Sequence, residues 1–134
     1  VVVDTSALLA IVVGEPDMEE VAEALAHARD PVMSSASLVE ASIVLLARVG
    51  PRGVDHLDAL IEAAGIRVVA VDDVQARAAR EAFGRFGRGR HPAALNYGDC
   101  FPYALAATHG RPLLYVGQDF ARTDVVPART PPLP

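Results

Sequence analysis

Four carboxylates stand where a surface acid is not expected. Glu40 is followed at three, four and seven residues by Ile43, Val44 and Ala47, a spacing that places it on the apolar face of a helix. Asp99 stands likewise over Tyr103, Ala106 and Ala107. Asp4 closes the run Val1-Val2-Val3, and Asp119 follows the apolar run Leu113-Leu114-Tyr115-Val116 by one turn. Burying one unpaired carboxylate is costly, and four gathered together repel one another. The chain has no lysine, its 12 basic residues all being arginine, so ordinary ion pairing cannot easily serve all four. A divalent metal does so directly, and an oxygen-only ligand set of this kind suits Mg²⁺ or Mn²⁺. Setting these four apart from the 17 acids leaves 13 against 12 arginines, so the net charge of −5 is consistent with one acidic site on a nearly neutral protein. Each aspartate also has a plain structural role open to it. Asp4 suits a helix N-cap, Asp99 a first-turn acid beside the helix dipole, and Asp119 a turn. A mid-helix glutamate among apolar neighbours has the least ordinary explanation.

The elements that must carry these residues follow from the apolar pattern. Val1–Val3 reads as a buried parallel-type strand, Asp4-Thr5-Ser6 as an N-cap, and Ala7–Val13 as a short helix. Pro16-Asp17 opens a second helix, with Met18, Val21, Ala22 and Leu25 opposite Glu19, Glu20 and Glu23. Pro31–Met33 is a short strand; Ser34, Ser35 and Ser37 are candidate caps for a helix reaching about Val49, and Gly50-Pro51 breaks it. Val54, Leu57, Ile61 and Ala64 stripe a further helix, with Asp55, Asp58 and Glu62 on its solvated face. Ile66–Val71 is the clearest strand, and Asp72-Asp73 caps a helix to about Phe86. After the glycine-rich basic loop 87–92, a helix resumes around Asn96–Asp99 and stops at Gly110. Pro112–Val116 is another strand, Val125-Val126 a short last one, and the proline-rich stretch 130–134 reads as a loose tail. Strands alternating with helices define a single α/β domain, 1–134, around a parallel sheet, in which ligands bind at the carboxyl ends of the strands.

Composition narrows the chemistry. The 134 residues are 51% hydrophobic and 22% charged, and their mean hydropathy is +0.27, enough apolar matter for a real core. Without lysine, P-loop nucleotide hydrolases, protein kinases and Schiff-base enzymes are excluded. A receiver or dehalogenase-like phosphotransfer site is disfavoured too, since position 6 is serine. Tryptophan is absent and aromatics are only 5%, which argues against RNA modules built on aromatic platforms. No apolar run approaches a membrane span, and the opening stretch carries Asp4 and no basic segment, so it does not read as a secretory signal. The single cysteine, Cys100, excludes an internal disulfide and a cysteine-built zinc site; it reads as a core thiol in a reducing, cytoplasmic setting. His27, His56 and His109 read as surface or helix-end residues.

Four blocks, ordered and spaced along residues 1 to about 126, resemble the PIN-domain family, and within it the VapC-type ribonuclease toxins. They are Val-Val-Val-Asp4-Thr5-Ser6-Ala7-Leu8, Ser37-Leu38-Val39-Glu40-Ala41, Leu95-Asn96-Tyr97-Gly98-Asp99-Cys100-Phe101 and Gly117-Gln118-Asp119-Phe120. The resemblance implies a three-layer α/β/α sandwich with a central, mostly parallel sheet. It also implies an acidic Mg²⁺ or Mn²⁺ site that hydrolyses RNA phosphodiesters to a 5′-phosphate and a 3′-hydroxyl, a small cognate antitoxin of the VapB type, and a homodimer. Asp4, Glu40 and Asp99 match the family's first three acids. Gly117 stands where many members carry an acid, so that Asp119 serves as the fourth carboxylate. Ser6 and Asn96 match supporting polar positions. Arg85, Arg88 and Arg90, with His91, are the expected RNA contacts, on a loop that Gly87 and Gly89 leave free to close. For the dimer surface, Leu8, Ile11, Val12 and Val44–Leu46 are the candidates. The alternative function is a catalytically silent PIN module that binds RNA or a partner protein.

Overall fold

The computed structural model describes residues 1–129; the tail expected at 130–134 lies outside the described residues. Strands β1 (Val2–Val3), β2 (Val32–Ser34), β3 (Arg67–Val69) and β4 (Leu113–Leu114) form one sheet in the order β3-β2-β1-β4. All pairs are parallel, with Val2 opposite both Val32 and Leu113, and Met33 opposite Val68. Helices α1 (Thr5–Val13) and α2 (Met18–Ala26) connect β1 to β2, and α3 (Ser35–Arg48) and α4 (Pro51–Ala64) connect β2 to β3. Helices α5 (Asp73–Phe86) and α6 (Cys100–His109) then carry the chain across to β4, on the other side of β1.

The period of two along a strand builds the layers. Val2, Val32 and Leu113 face α5 and α6, packing with Ala79, Ala82, Phe86, Tyr103 and Leu105. Val3, Met33 and Leu114 face the opposite way, toward Leu8, Val21, Leu25, Leu45 and Leu57 of α1 to α4. The result is the expected three-layer α/β/α sandwich. Capping fixes several helix starts: Asp4 accepts from Ser6 N, Ser34 from Ala36 N, and Asp72 from Gln75 N.

Three expectations need correction. The stretch expected as the clearest strand, 66–71, forms a ladder only over Arg67–Val69, because β3 is an edge whose one neighbour, β2, is itself three residues long. The last strand expected at 125–126 is reduced to a single parallel bridge, Leu113 with Pro127, in which Leu113 N donates to Val126 O and Ala128 N to Leu113 O. Of the expected dimer-surface residues, Leu8 and Leu45 are fully buried in the core. Leu46 of the expected set is exposed at 51%, and α3 exposes beside it Val39 and Ile43, at 58% and 60%. Helix α3 is apolar nearly all round, so spacing alone does not choose which stripe it buries.

Candidate active site

β1 and β4 are neighbours whose connections leave toward opposite sides of the sheet, the arrangement that opens a crevice beyond their carboxyl ends. Asp4 follows β1 directly, 4% exposed. Its Oδ2 accepts from Ser6 N at 3.0 Å and from Ser6 Oγ at 2.5 Å, while that hydroxyl in turn accepts from Val116 N at 3.0 Å. Asp4 is therefore the α1 cap and an inward-held acid at once, and Ser6 ties it to the segment leaving β4. Burial pushes the Asp4 carboxyl up to about 6, against the Ser6 bonds, with the Glu40 charge adding to the rise.

Asp99 is held by a reciprocal pair: its Oδ2 accepts from Asn96 N at 3.0 Å, and Asn96 Oδ1 accepts from Asp99 N at 2.9 Å. Its carboxyl is pushed up to about 7, first by burial and then by the charges of Asp4, Asp119 and Glu40, against the Asn96 bond. The other three acids singled out in the sequence thus all act on this one carboxyl. Asp119 is exposed and begins the short 3₁₀ turn Phe120–Arg122, which Phe120 anchors in the core. Two residues beyond that turn, Asp124 accepts from Tyr103 of α6 at 2.5 Å and from Arg85 of α5 at 3.2 Å, fastening the turn to both helices. Gly117 has a φ of +97°, a conformation that disfavours a side chain. Backbone strain thus gives a reason for glycine there and leaves Asp119 as the acid of this turn.

Glu40 is half-buried and does not share the core face of α3, which is formed by Ser37, Ala41 and Leu45. The neighbours that suggested burial, Ile43 and Ala47, are themselves exposed. The Glu40 carboxylate lies against the backbone of Gly98 instead, where a Cβ would come within 2.7 Å of Glu40 Cδ. Thr5 contributes from below, its Oγ1 donating to Ser37 O at 3.3 Å and so tying α1 to the first turn of α3. Neither Gly98 nor Thr5 stands out by spacing in the sequence, and the glycine directly before Asp99 is the one local sign of a close approach.

Among the described residues no three acids, thiols or imidazoles are close enough together to form a ready coordination cluster. Asp4 turns one oxygen to Ser6 and Asp99 one to Asn96, which leaves each carboxylate its second oxygen. In donor type and charge the set nonetheless fits a hard divalent cation: four oxygen-only groups on one crevice, two of them held well above the usual carboxylate range.

The remaining expected residues divide. Arg85 pairs with Asp124 and stands 4.7 Å over the Phe86 ring, a structural engagement. Arg88 and Arg90 are exposed. The loop that carries them is pinned rather than open: Arg88 N donates to Leu95 O, Leu95 N to Phe86 O and Arg90 N to Gly87 O, all within 3.0 Å. His91 Nδ1 accepts from Ala93 N, and its ring meets Phe86 edge-on at 5.0 Å. Cys100 is buried, its Sγ donates to Asn96 O at 3.2 Å, and burial pushes the thiol up to about 11, as suits a core thiol.

The family model of the PIN domain matches residues 1–126, and the chain belongs to that family. Within it, the chain is 52% identical over 126 residues to the ribonuclease VapC of Mycolicibacterium smegmatis, covering 92% of this chain and 96% of that one. It is 45% identical over 130 residues to the ribonuclease VapC30 of Mycobacterium tuberculosis, covering 97% and 99%. Among solved structures it resembles Mycobacterium tuberculosis VapC20, described as a sarcin–ricin loop cleaving toxin, with a TM-score of 0.77 at 21% identity over 93% of this chain and 95% of that one. A toxin–antitoxin complex from Klebsiella pneumoniae gives a TM-score of 0.68 at 15% identity, covering 93% of each chain. These last two speak to the fold alone.

Proposed function

We propose that the chain is the toxin of a toxin–antitoxin pair, an endoribonuclease that hydrolyses RNA phosphodiesters with Mg²⁺ or Mn²⁺. The observation that carries this reading is geometric: Asp4 at the end of β1 is tied through Ser6 to the segment leaving β4, Glu40 lies against Gly98 beside Asp99, and the charges of Asp4, Glu40 and Asp119 all act on Asp99. Such a set is costly as it stands and suits a cation. Relatedness to proteins named VapC ribonucleases, at 45–52% identity over nearly the whole chain, supports the substrate class.

Asp4, Glu40, Asp99 and Asp119 would hold the cation, with Ser6 and Asn96 fixing the rotamers of Asp4 and Asp99. A bound Mg²⁺ or Mn²⁺ would supply charge stabilisation at the phosphate and lower the pKa of a water. Arg88 and Arg90 lie on the segment leading to Asn96 and would hold the flanking backbone phosphates. Attack of water oxygen on phosphorus with departure of the 3′-oxygen leaves a 5′-phosphate and a 3′-hydroxyl. Cys100, protonated and buried, takes no part. RNA as substrate places the activity in the cytoplasm. Among the described residues no helix is long and apolar enough to cross a membrane.

The purified chain is expected to cut single-stranded RNA with Mg²⁺ or Mn²⁺ and to stop when EDTA is added. Cleavage that survives full chelation would overturn the metal-dependent reading. RNA binding without cleavage in any divalent metal would favour the silent PIN module instead. A small antitoxin is the expected protein partner. A homodimer is also expected, supported by the exposed Val39, Ile43 and Leu46 of α3. Light scattering at tens of micromolar should give twice the chain mass, and a strictly monomeric mass would count against it.

A further inference from the structure

Seven aromatic residues are present, and six of them are buried, half-buried or at most 37% exposed; Tyr97 is the exception at 80%. It stands two residues before Asp99, and its neighbour Gly98 carries the Glu40 carboxylate. Phe101 meets the Tyr97 ring at 4.9 Å and 79°, an edge-to-face pair that covers at most one face of that ring and holds it upright. Beside it, between α5 and α6, lies a hollow of about 570 Å³ walled by Tyr97, Phe101 and Phe83, with Ala79 at its base. Arg80 also lines it, exposed and without an ion pair among the described residues.

Resting on the ribonuclease reading, we infer that Tyr97 and this hollow form a binding site for an unpaired nucleobase of the RNA, stacked on the Tyr97 ring one step from the bond to be cut. Three features favour a base over an apolar protein segment. Tyr97 also lines, with Glu40 and Gly98, the adjoining hollow against α3, so its ring borders the acidic crevice. Its walls are aromatic rings, which suit the flat face of a base. Arg80 supplies a free guanidinium for the attached phosphate, a charge that an apolar helix would leave buried and unpaired. The walls carry little that could read a base edge, so the site grips a base without choosing its identity. One ring of this kind is not the multi-aromatic platform that the composition argues against.

The test uses a fluorescein-labelled 12-nucleotide oligoadenylate and an abasic ribose-phosphate strand of the same length, titrated with the whole chain in EDTA at low salt. The parent should bind the oligoadenylate more tightly than the abasic strand. Tyr97→Ala should lose about tenfold in affinity for the oligoadenylate and little for the abasic strand, whereas Tyr97→Phe should stay within about twofold of the parent. In Mn²⁺, Tyr97→Ala should raise KM while leaving kcat nearly unchanged. The ring is too exposed for its loss to unfold the chain, and a melting curve on each variant checks this. If Tyr97→Ala binds and cuts like a parent that is itself active, this inference fails and the ribonuclease reading stands. If it alters only the mass in light scattering, the ring serves a protein contact and the inference fails as well. A parent that neither binds nor cuts the oligonucleotide in Mn²⁺ overturns the ribonuclease reading, and this one with it.

Discussion

Asp99→Asn is expected to lower RNA cleavage by at least about 100-fold while leaving the metal-free protein as stable as the parent or more so. The two halves of this outcome have one cause. Asp99 is charged against burial and against three other carboxylates, which is why its carboxyl is pushed up to about 7. Asparagine removes that charge but keeps a carbonyl oxygen that can accept from Asn96 N, the contact Asp99 makes at 3.0 Å. After discounting for the partial exposure of the group, the gain in metal-free stability at pH 7.5 is about 1 kcal/mol, or some 3–5 °C in Tm. A purely structural carboxylate would behave in the opposite way, losing about 1–3 kcal/mol on substitution. The pH dependence follows from the direction of the shifts. Asp4 and Asp99 have folded values of about 6 and about 7 against 3.8 when free, so between these limits the folded state binds more protons than the unfolded one. Their contribution is therefore most favourable below about pH 4 and is lost as pH rises through about 7. Without metal the parent should melt higher at pH 5 than at pH 7.5, and Asp99→Asn should flatten that rise. Mn²⁺ should raise the parent's Tm more than the variant's. Thermal melts at both pH values, with EDTA and with Mn²⁺, run beside an RNA cleavage assay, decide the matter. A variant that melts sharply lower without metal and still cuts RNA would make Asp99 part of the scaffold.

Gly98→Ala is expected to separate activity from stability in a different way. The added Cβ would overlap the Glu40 carboxylate, lying 2.7 Å from Cδ. The half-buried Glu40 side chain can swing aside, so the fold should lose less than about 1 kcal/mol. Gly98 does not have a positive φ, so alanine adds no backbone strain there. The displaced carboxylate, however, leaves the crevice, and Mn²⁺ affinity and cleavage should both fall by about 10–100-fold, the scale of other changes around metal ligands. Calorimetric Mn²⁺ titration and the cleavage assay, with a denaturant melt as control, provide the check. Glu40→Gln should lose cleavage similarly, since it removes the charge that Gly98→Ala displaces. If Gly98→Ala binds Mn²⁺ and cuts RNA as the parent does, Glu40 has no part in the site.

Much of this molecule follows from local rules that a sequence states directly. Val1–Val3, the Asp4 cap, the Gly50-Pro51 break and the Asp72 cap each set an element boundary within the chain's own near neighbours, which is why the α/β order and its strands and helices could be read in advance. Spacing places Asp4 and Asp99 among buried neighbours correctly, whereas the face it assigned to Glu40 is one the fold leaves exposed at Ile43 and Ala47. What the sequence did not decide was every choice that depends on a distant partner. Helix α3 offers apolar residues on most sides, and only packing against α1, α4 and the sheet selects Ala41 and Leu45 as its buried stripe and leaves Ile43 in solvent. The fit of Gly98 against Glu40 joins residues 58 positions apart. Arg85 reads as a free cation until the fold brings Asp124 to it across 39 residues. Likewise, the strand order β3-β2-β1-β4 sets Asp4 beside the turn of Asp119, for a crevice needs two adjacent strands whose connections part, and adjacency in a sheet is a property of the assembled fold.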